Sequence, residues 1–283
     1  MKKVKVKIPA KININLDVFP QENGFHPIKS LVASVNVYDY ITLTKREDNL
    51  ITLNTVGLSL DCPTEENNAY KTANAFINEF ALSGVDIIIE KNIPVSGGMG
   101  GSSADIAGVL KGLKKLFGVN CNLNDFANKF GSDAGYMING GYALISGRGE
   151  KIEPLKLKQK FHLLLIAEPK ELAKKVCAKE CYKEFDNQGN VYAPTTDIAK
   201  KLLLSKDAEN LFKVIKNDLY PSAKMLLPQI ENNLLSLAEF GPAVMTGSGS
   251  TVVGYYKTKK DRDKVYKKLY SSYGEKLIKA KII

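Results

Sequence analysis

Residues 93–110 read Ile-Pro-Val-Ser-Gly-Gly-Met-Gly-Gly-Ser-Ser-Ala-Asp-Ile-Ala-Gly-Val-Leu and decide the fold of the chain. The apolar residues 85–90 precede this stretch and predict a strand. Apolar residues then recur at helical spacing from Ile106 to Phe117, which predicts an amphipathic helix. A glycine-rich turn therefore connects a strand to a helix N-terminus.

The residues of this turn have the chemistry of an anion cradle. Its glycines lack a Cβ, so the backbone can take left-handed conformations and approach a ligand closely. These glycines are Gly97, Gly98, Gly100 and Gly101. Backbone N–H groups and the positive end of the helix dipole suit a phosphate. Ser102 and Ser103 add hydroxyls that cap the helix or bind a nucleotide's metal ion. A flexible turn with an ordinary serine cap is the alternative.

Two common phosphate-binding motifs do not fit the turn. It has no G-x-x-x-x-G-K-[S/T] sequence, and Ser103 stands where the dinucleotide fingerprint has its last glycine. The order Pro-x-x-x-Gly-x-Gly-Gly-Ser-Ser-Ala instead resembles the nucleotide loop of the GHMP small-molecule kinases, which include galactokinase, homoserine kinase and mevalonate kinase. This resemblance implies that residues 96–106 hold the triphosphate of ATP.

The resemblance also implies a Mg²⁺ ion that bridges the phosphate oxygens, with Ser102 or Ser103 as a direct or water-mediated ligand. The residues that it assigns to the nucleotide are Pro94, Ser96, Gly97, Gly98, Met99, Gly100, Gly101, Ser102, Ser103, Ala104, Asp105 and Ile106.

Composition and charge limit the class of protein. The chain has 283 residues, of which 44% are hydrophobic and 25% charged, as is typical of a soluble globular protein of one or two domains. The net charge of +10 comes from lysines that are spread over the chain without a recognisable nucleic-acid-binding module. A positive field attracts small polyanions, so we expect a nucleotide-phosphate substrate and no nucleic acid partner.

The N-terminus alternates lysine with apolar residues and has no signal-peptide core, and no apolar run approaches the length of a membrane span. We therefore expect a cytoplasmic protein with no membrane partner, in which the cysteines are free thiols. Cys177 and Cys181 stand one helical turn apart and could share a metal ion. The absence of a third ligand nearby in sequence favours small apolar fillers instead.

The N-terminal segment predicts two strands interrupted at Pro9. Apolar residues alternate over residues 4–8 and again over 12–18. The opposite face of the second strand carries Lys11, Asn13 and Asn15, which are polar residues that suit a ligand-lined surface. An exposed strand lysine is the alternative for Lys11.

Further patterns predict additional elements along the chain. They are strands over residues 30–37, 40–44, 51–53, 161–167 and 279–283, and helices over 67–84, 123–130 and 261–269, with one more helix after Pro169. Gly131 is expected to end its helix as a C′ residue.

Residues 9–16, followed by Gly24-Phe25-His26, resemble the opening of one branch of the GHMP kinases. That branch phosphorylates a cytidine diphosphate sugar alcohol in the non-mevalonate pathway of isoprenoid and terpenoid biosynthesis. The motif order continues through residues 217–221 and 245–249. The resemblance therefore implies a small-molecule kinase with such an alcohol as its substrate.

Catalytic roles come from the same resemblance. Asp133 stands in the place of the family's catalytic aspartate, although the usual Asp-Val-Pro reads Asp-Ala-Gly here. Without the resemblance, Asp133 is interpreted as a turn former. Lys11 would keep Asp133 ionised and offset charge on the moving phosphoryl group. Asn13 is assigned to substrate binding.

Base recognition is assigned to Phe25, His26 and Tyr182. Two aromatic faces would stack on the cytosine ring, and His26 would contact its edge. A surface histidine is the alternative for His26. The family's Ser-Thr before the tyrosine motif reads Cys177-Ala178 here, so one polar contact is expected to be missing.

The implied fold class is α+β, in the two-domain GHMP kinase architecture. An ATP-binding N-terminal domain of the ribosomal protein S5 domain 2-like type would span residues 1–158, and a ferredoxin-like C-terminal domain would span 159–283. The phosphate loop alone leaves open another small alcohol, of the homoserine or mevalonate type. A non-catalytic ligand-binding protein on the same fold is a further alternative, and the presence of both Lys11 and Asp133 counts against it.

Overall fold

The computed structural model describes residues 2–58, 62–189 and 192–283. The chain forms two compact units from interleaved segments. Unit 1 comprises Met1–Ala10, Val37–Ile93 and Gly100–Gly140. Unit 2 comprises Lys11–Asn36, Pro94–Met99 and Gly141–Ile283. The expected boundary divides the chain once, after residue 158, whereas these units are built from interleaved segments. That boundary therefore stays a prediction.

Two long strands contribute residues to both units. They are β1 (Lys3–Val18) and β2 (Ile28–Lys45). The break expected at Pro9 is wrong, because the φ of proline is compatible with an extended strand and β1 continues through it. The gap expected between residues 37 and 40 is also wrong, because Asp39 is buried within β2 rather than placed in a turn.

Unit 1 contains a parallel strand pair joined by a helix. Strand β3 (Ile51–Gly57) precedes helix α1 (Asn68–Glu79), and strand β4 (Val85–Lys91) follows it. β4 pairs parallel with β3 and antiparallel with the C-terminal half of β2. The Asn67 side chain caps α1 by accepting the N–H of Ala69 at 2.9 Å. The helix ends before the predicted Gly84.

The helix that follows the glycine-rich turn is α2 (Gly101–Phe117), and it packs on the sheet of unit 1. A Cβ at Gly108 or Gly112 would overlap the side chain of Ile41 or Leu43 on β2, so these glycines let the helix lie close to the strand. Two short helices complete the unit, α3 (Asn124–Phe130) and α4 (Ala134–Asn139).

In unit 2, the N-terminal half of β2 pairs antiparallel with β5 (Tyr142–Gly147), which also pairs with β6 (Lys151–Leu155). A second sheet contains β7 (His162–Ile166), β8 (Ala243–Met245), β9 (Val252–Tyr256) and β10 (Leu277–Lys281). Its strand order is β10-β7-β9-β8, with every pair antiparallel. This order is that of the expected ferredoxin-like arrangement.

Unit 2 also contains helices. They are α5 (Lys170–Ala173), α6 (Ala178–Asp186), α7 (Thr196–Leu204), α8 (Ala208–Val214), α9 (Tyr220–Leu226), α10 (Gln229–Ala238) and α11 (Lys259–Tyr273). Short 3₁₀ turns occur at Thr64–Glu66, Lys174–Val176 and Gly274–Lys276. The single helix expected after Pro169 is therefore divided into α5, a 3₁₀ turn and α6.

Apolar side chains from the sheet and from α6, α9 and α10 form the core of unit 2. They include Leu164, Ile166, Phe185, Ala223, Ile230 and Val252. The combination of helices with mainly antiparallel sheets confirms the α+β class. No helix in the described ranges has the length and hydrophobicity needed to cross a membrane.

A buried amide holds the chain after α8 against the turn that follows β8. Asn217 Nδ2 donates to the carbonyls of Met245 and Gly247, each at 2.8 Å. Its Oδ1 accepts the N–H of Leu219 at 2.9 Å. The Asn217 residue is 6% exposed, so water cannot readily replace these bonds.

We predict that Asn217→Ala lowers the free energy of unfolding by about 1–3 kcal/mol or more, because it leaves buried carbonyls and an N–H without partners. Denaturant titration measures the change. Asn78→Ala is the matched control, because Asn78 is exposed on α1 and contacts Asn74 only at 3.4 Å. Equal stability of the two variants would contradict the prediction.

Candidate active site

The N-terminus of α2 lies in unit 1 and has no side-chain cap. Gly100 stands at the cap position with left-handed dihedral angles, φ 72° and ψ 28°. The N–H of Ala104 donates the first helical bond to the Gly100 carbonyl at 2.9 Å. The N–H groups of Gly101, Ser102 and Ser103 precede that bond and have no acceptor within the helix. This helix end therefore has the donors and the dipole that an anion site requires.

A buried ammonium group fixes this end of α2. Lys91 Nζ donates to Asp39 Oδ2 and to Asp105 Oδ2, each at 2.6 Å. It also donates to the carbonyl of Gly101 at 3.0 Å, which uses its last hydrogen. The side chains of Lys91 and Asp39 are 2% and 0% exposed. One cation thus connects β4, β2 and the first turn of α2.

The second oxygen of Asp39 extends this connection to the chain that enters the loop. Asp39 Oδ1 accepts the N–H groups of Asn92 and Ile93 at 2.6 and 2.9 Å. Burial opposes the charge on Lys91, but Asp105 and Asp39 outweigh it and raise the pKa of Lys91. The position of the loop therefore depends on charged groups that solvent does not reach.

Asp105 was assigned to the nucleotide, and the structure places its carboxylate inside unit 1. Burial raises the pKa of Asp105, Lys91 counteracts that rise, and Asp39 adds to it. Asp105 Oδ1 is buried, and no partner for it is found among the residues described. The side chains of Pro94, Met99, Ala104 and Ile106 are also buried. A ligand can therefore contact these residues only through their backbone.

The first part of the glycine-rich turn, Pro94–Met99, belongs to unit 2. Gly98 has a φ of 70°, and a Cβ on it would overlap the carbonyl of Thr246. Gly247 has a φ of 59°, and a Cβ on it would lie 2.6 Å from the Gly98 carbonyl oxygen. The two turns therefore pack backbone against backbone. Ser96 is exposed beside this contact, with a φ of 55°.

Lys11 and Asn13 form a buried polar group in unit 2. Lys11 Nζ donates to Asn13 Oδ1 at 2.7 Å, and Asn13 Nδ2 donates to Ser30 Oγ at 2.7 Å. The N–H of Asn13 donates to Thr246 Oγ1 at 2.8 Å. Lys11 is 5% exposed, so the alternative of an exposed strand lysine is wrong. The Asn13 amide orients the Lys11 ammonium group.

Further along β1, a second buried polar group holds the start of α7. Asp17 Oδ2 accepts the N–H groups of Thr195 and Thr196 at 3.0 and 2.8 Å. Asn15 Nδ2 donates to Thr196 Oγ1 at 2.8 Å. The sequence pattern does not indicate these bonds, because their partners lie far apart in the chain.

Asp133 lies in unit 1, at the N-terminus of α4, and is half-buried. Its side chain does not cap that helix. Helix α3 ends at Phe130, directly before Gly131 as expected, and Gly131 has an extended φ of −167°. A Cβ at Gly131 would lie 2.9 Å from Ile106 Cδ1 and 3.1 Å from Ser103 Oγ. The turn that carries Asp133 therefore adjoins the first turns of α2.

The aromatic residues assigned to the base lie in unit 2. The rings of His26 and Tyr182 stack with centroids 5.7 Å apart and an interplanar angle of 19°. Phe25 contacts Arg148 instead, whose guanidinium carbon lies 4.2 Å from the ring centroid. His26 Nε2 lies 2.7 Å from Asp186 Oδ1. Arg148 and Asp186 are neighbours that sequence analysis missed.

The cysteines are free thiols, as expected. Cys181 is buried, and burial raises the pKa of its thiol to about 12. Within the described ranges, no cluster of three or more His, Cys, Asp or Glu residues could hold a metal ion. Cys181 therefore acts as a small core residue rather than as a reactive thiolate.

Family models match both parts of the chain. The model described as GHMP kinases N terminal domain matches residues 67–147, and the model described as GHMP kinases C terminal matches residues 199–276. The chain belongs to the GHMP kinases, a family of ATP-dependent small-molecule kinases.

Curated relatives point to one branch of this family. A relative in Clostridium tetani, named 4-diphosphocytidyl-2-C-methyl-D-erythritol kinase, is 34% identical over 285 residues, with 96% of this chain and 98% of the relative covered. A relative of the same name in Clostridium beijerinckii is 35% identical over 268 residues and covers 89% of this chain and 91% of its own length.

Solved structures share the fold. A crystal structure of 4-(cytidine 5′-diphospho)-2C-methyl-D-erythritol kinase has a TM-score of 0.77 at 23% identity and covers 99% of both chains. Homoserine kinase from Cytophaga hutchinsonii has a TM-score of 0.74 at 15% identity, with 100% of this chain and 95% of the other covered.

We predict that Lys91→Met lowers the free energy of unfolding by about 3–5 kcal/mol, because it leaves two buried carboxylates without their cation. Loss of the cation also removes the group that counteracts the raised pKa of Asp105, so this pKa rises further and the folded variant binds more protons than the unfolded one. The loss in free energy of unfolding that Lys91→Met causes should therefore be smaller at about pH 5 than at about pH 8.

Denaturant titrations at both pH values measure this change. Lys5→Met is the matched control, because Lys5 pairs with Glu90 at an exposed position and should cost only about 0–1 kcal/mol. A deficit that is small, or that does not vary with pH, would contradict the role assigned to Lys91.

Proposed function

We propose that this chain transfers the γ-phosphoryl group of ATP to the 2-hydroxyl of 4-diphosphocytidyl-2-C-methyl-D-erythritol, in the non-mevalonate pathway to isoprenoid precursors. The observation that carries this proposal is similarity over nearly the whole chain, at 34–35% identity, to relatives that bear the name of that kinase. The geometry of each unit supports the chemistry.

In the proposed enzyme, the N-terminal turn of α2 and the backbone of Pro94–Met99 bind the triphosphate. The N–H groups of Gly101, Ser102 and Ser103 have no acceptor in the helix, as phosphate binding requires. Mg²⁺ prefers oxygen ligands, and the exposed Ser102 and half-buried Ser103 supply hydroxyl oxygens at this helix end. The ion would neutralise charge on the phosphates.

Phosphoryl transfer leaves mainly positioning and charge stabilisation to the protein. The oxygen of the substrate hydroxyl forms a bond to the γ-phosphorus, and the bond from that phosphorus to the bridging oxygen of ADP breaks. Asp133 accepts the hydroxyl proton. Lys11, oriented by Asn13, offsets negative charge on the transferred group.

Aromatic stacking would hold the cytosine ring, with Phe25 and Tyr182 as its contacts. The His26 ring, which stacks on Tyr182, would complete the edge of this surface. The division into a domain of residues 1–158 and a domain of residues 159–283, and a cytoplasmic location, belong to the same proposal.

A screen of alcohols tests the proposed function. Purified protein with ATP and Mg²⁺ is assayed for ADP release with 4-diphosphocytidyl-2-C-methyl-D-erythritol, homoserine, mevalonate and phosphomevalonate. We expect turnover of the cytidine compound alone. Turnover of only the other three alcohols would reject the substrate, and turnover of none would favour a non-catalytic protein on this fold.

Asp133→Asn should lower kcat by about 10²–10⁴-fold, because a positioned acid–base group contributes a factor of that size. Folding and ATP affinity should remain near those of the unmodified protein. Asp125→Asn is the matched control, because it removes an equal charge from the surface of α3. Steady-state kinetics with calorimetric ATP binding separate the effects, and an unchanged kcat would remove Asp133 from the mechanism.

A further inference from the structure

One face of helix α6 surrounds the His26 ring within unit 2. Tyr182, Phe185 and Asp186 are spaced i, i+3 and i+4, so they share a side of the helix. Tyr182 stacks on His26, and Phe185 contacts it edge-on with centroids 5.3 Å apart at 85°. Asp186 Oδ1 lies 2.7 Å from His26 Nε2. The orientation of the imidazole is therefore fixed by three contacts from one helix.

The neighbours of His26 also occupy both of its ring nitrogens. Nδ1 lies 2.7 Å from the carbonyl oxygen of Phe19, and Nε2 lies 2.7 Å from the carboxylate of Asp186. Both ring nitrogens are therefore already engaged by protein oxygens, so the His26 ring has no free nitrogen to accept a hydrogen bond from a bound base.

Asp186 supplies the acceptor that His26 lacks. Its side chain is 48% exposed, whereas that of His26 is 6% exposed. Oδ1 accepts from His26, and the described residues provide no hydrogen-bond partner for Oδ2. Oδ1 of Asp186 therefore fixes the half-exposed carboxylate against His26, and Oδ2 remains available to a ligand.

The two pyrimidines that a nucleotide substrate can carry differ at this kind of contact. Cytosine has an exocyclic amine that donates, whereas uracil has a carbonyl that accepts at the same position. Carboxylates are suited to accept from the cytosine amine and repel a carbonyl oxygen.

We propose that Asp186 is a specificity-determining residue, whose carboxylate accepts the exocyclic amine of cytosine and thereby selects cytidine over uridine substrates. This inference rests on the proposed function, because it assigns the residue that recognises the base of the same substrate. Oδ1 positions His26, and Oδ2 contacts the amine.

The test compares binding of cytidine 5′-diphosphate and uridine 5′-diphosphate by calorimetry, with the full chain and its variants. The unmodified protein should bind the cytidine nucleotide more tightly. Asp186→Asn replaces the outer acceptor by an amide that can donate to uracil, so the ratio of the two affinities should fall by about tenfold or more. Asp186→Ala should also reduce the ratio.

Asp197→Asn is the matched control, because it removes an equal charge from an exposed carboxylate that pairs with Lys29. It should leave the ratio unchanged. The proposal is overturned if Asp186→Asn weakens both nucleotides equally, since that result is expected of a residue that only orients His26. It is also overturned if the unmodified protein shows no preference between the two nucleotides.

Turnover separates this inference from the proposed function. If the protein phosphorylates the cytidine substrate and Asp186→Asn retains the selectivity for cytidine, the role proposed for Asp186 is wrong and the enzyme assignment stands. If the protein binds the cytidine nucleotide selectively without phosphoryl transfer, the enzyme assignment fails and the role of Asp186 stands.

Discussion

The buried ammonium group of Lys91 is the interaction on which unit 1 depends. It neutralises Asp39 and Asp105 while donating to the carbonyl of Gly101, so a strand, its neighbour and the first turn of α2 share one cation. A helix end that binds anions must leave its own N–H groups uncapped. Lys91 holds that end through the carbonyl of Gly101 and the carboxylate of Asp105, so the N–H groups of the first turn remain available.

In unit 2, amides and hydroxyls hold the buried charged groups of β1 in the same way. The Asn13 side chain bonds to Lys11 and Ser30, the backbone N–H of Asn13 donates to Thr246, and Asn15 and Asp17 hold the start of α7. A polar strand face that would otherwise be hydrated is thereby enclosed. Such a network has a strict geometry, because each buried polar atom loses its water on folding and requires a protein partner.

Local patterns in the sequence predicted the elements that depend on neighbours in the chain. The strand before the loop, helix α2 and the start of α1 near residue 67 are confirmed, since periodicity and helix-start signals act over a few residues. The breaks expected in β1 and β2 are wrong, because β1 continues through Pro9 and Asp39 is buried within β2. The contacts of Lys91 and Asp186 join residues remote in sequence, for which a single sequence carries no signal.

The contact between Gly98 and Gly247 limits how this chain can change. Most steric conflicts in proteins can be relieved when a neighbouring side chain is shortened. Here each glycine faces backbone atoms of the other turn, and backbone cannot be shortened by substitution. No second mutation in either turn therefore compensates for a side chain at these positions.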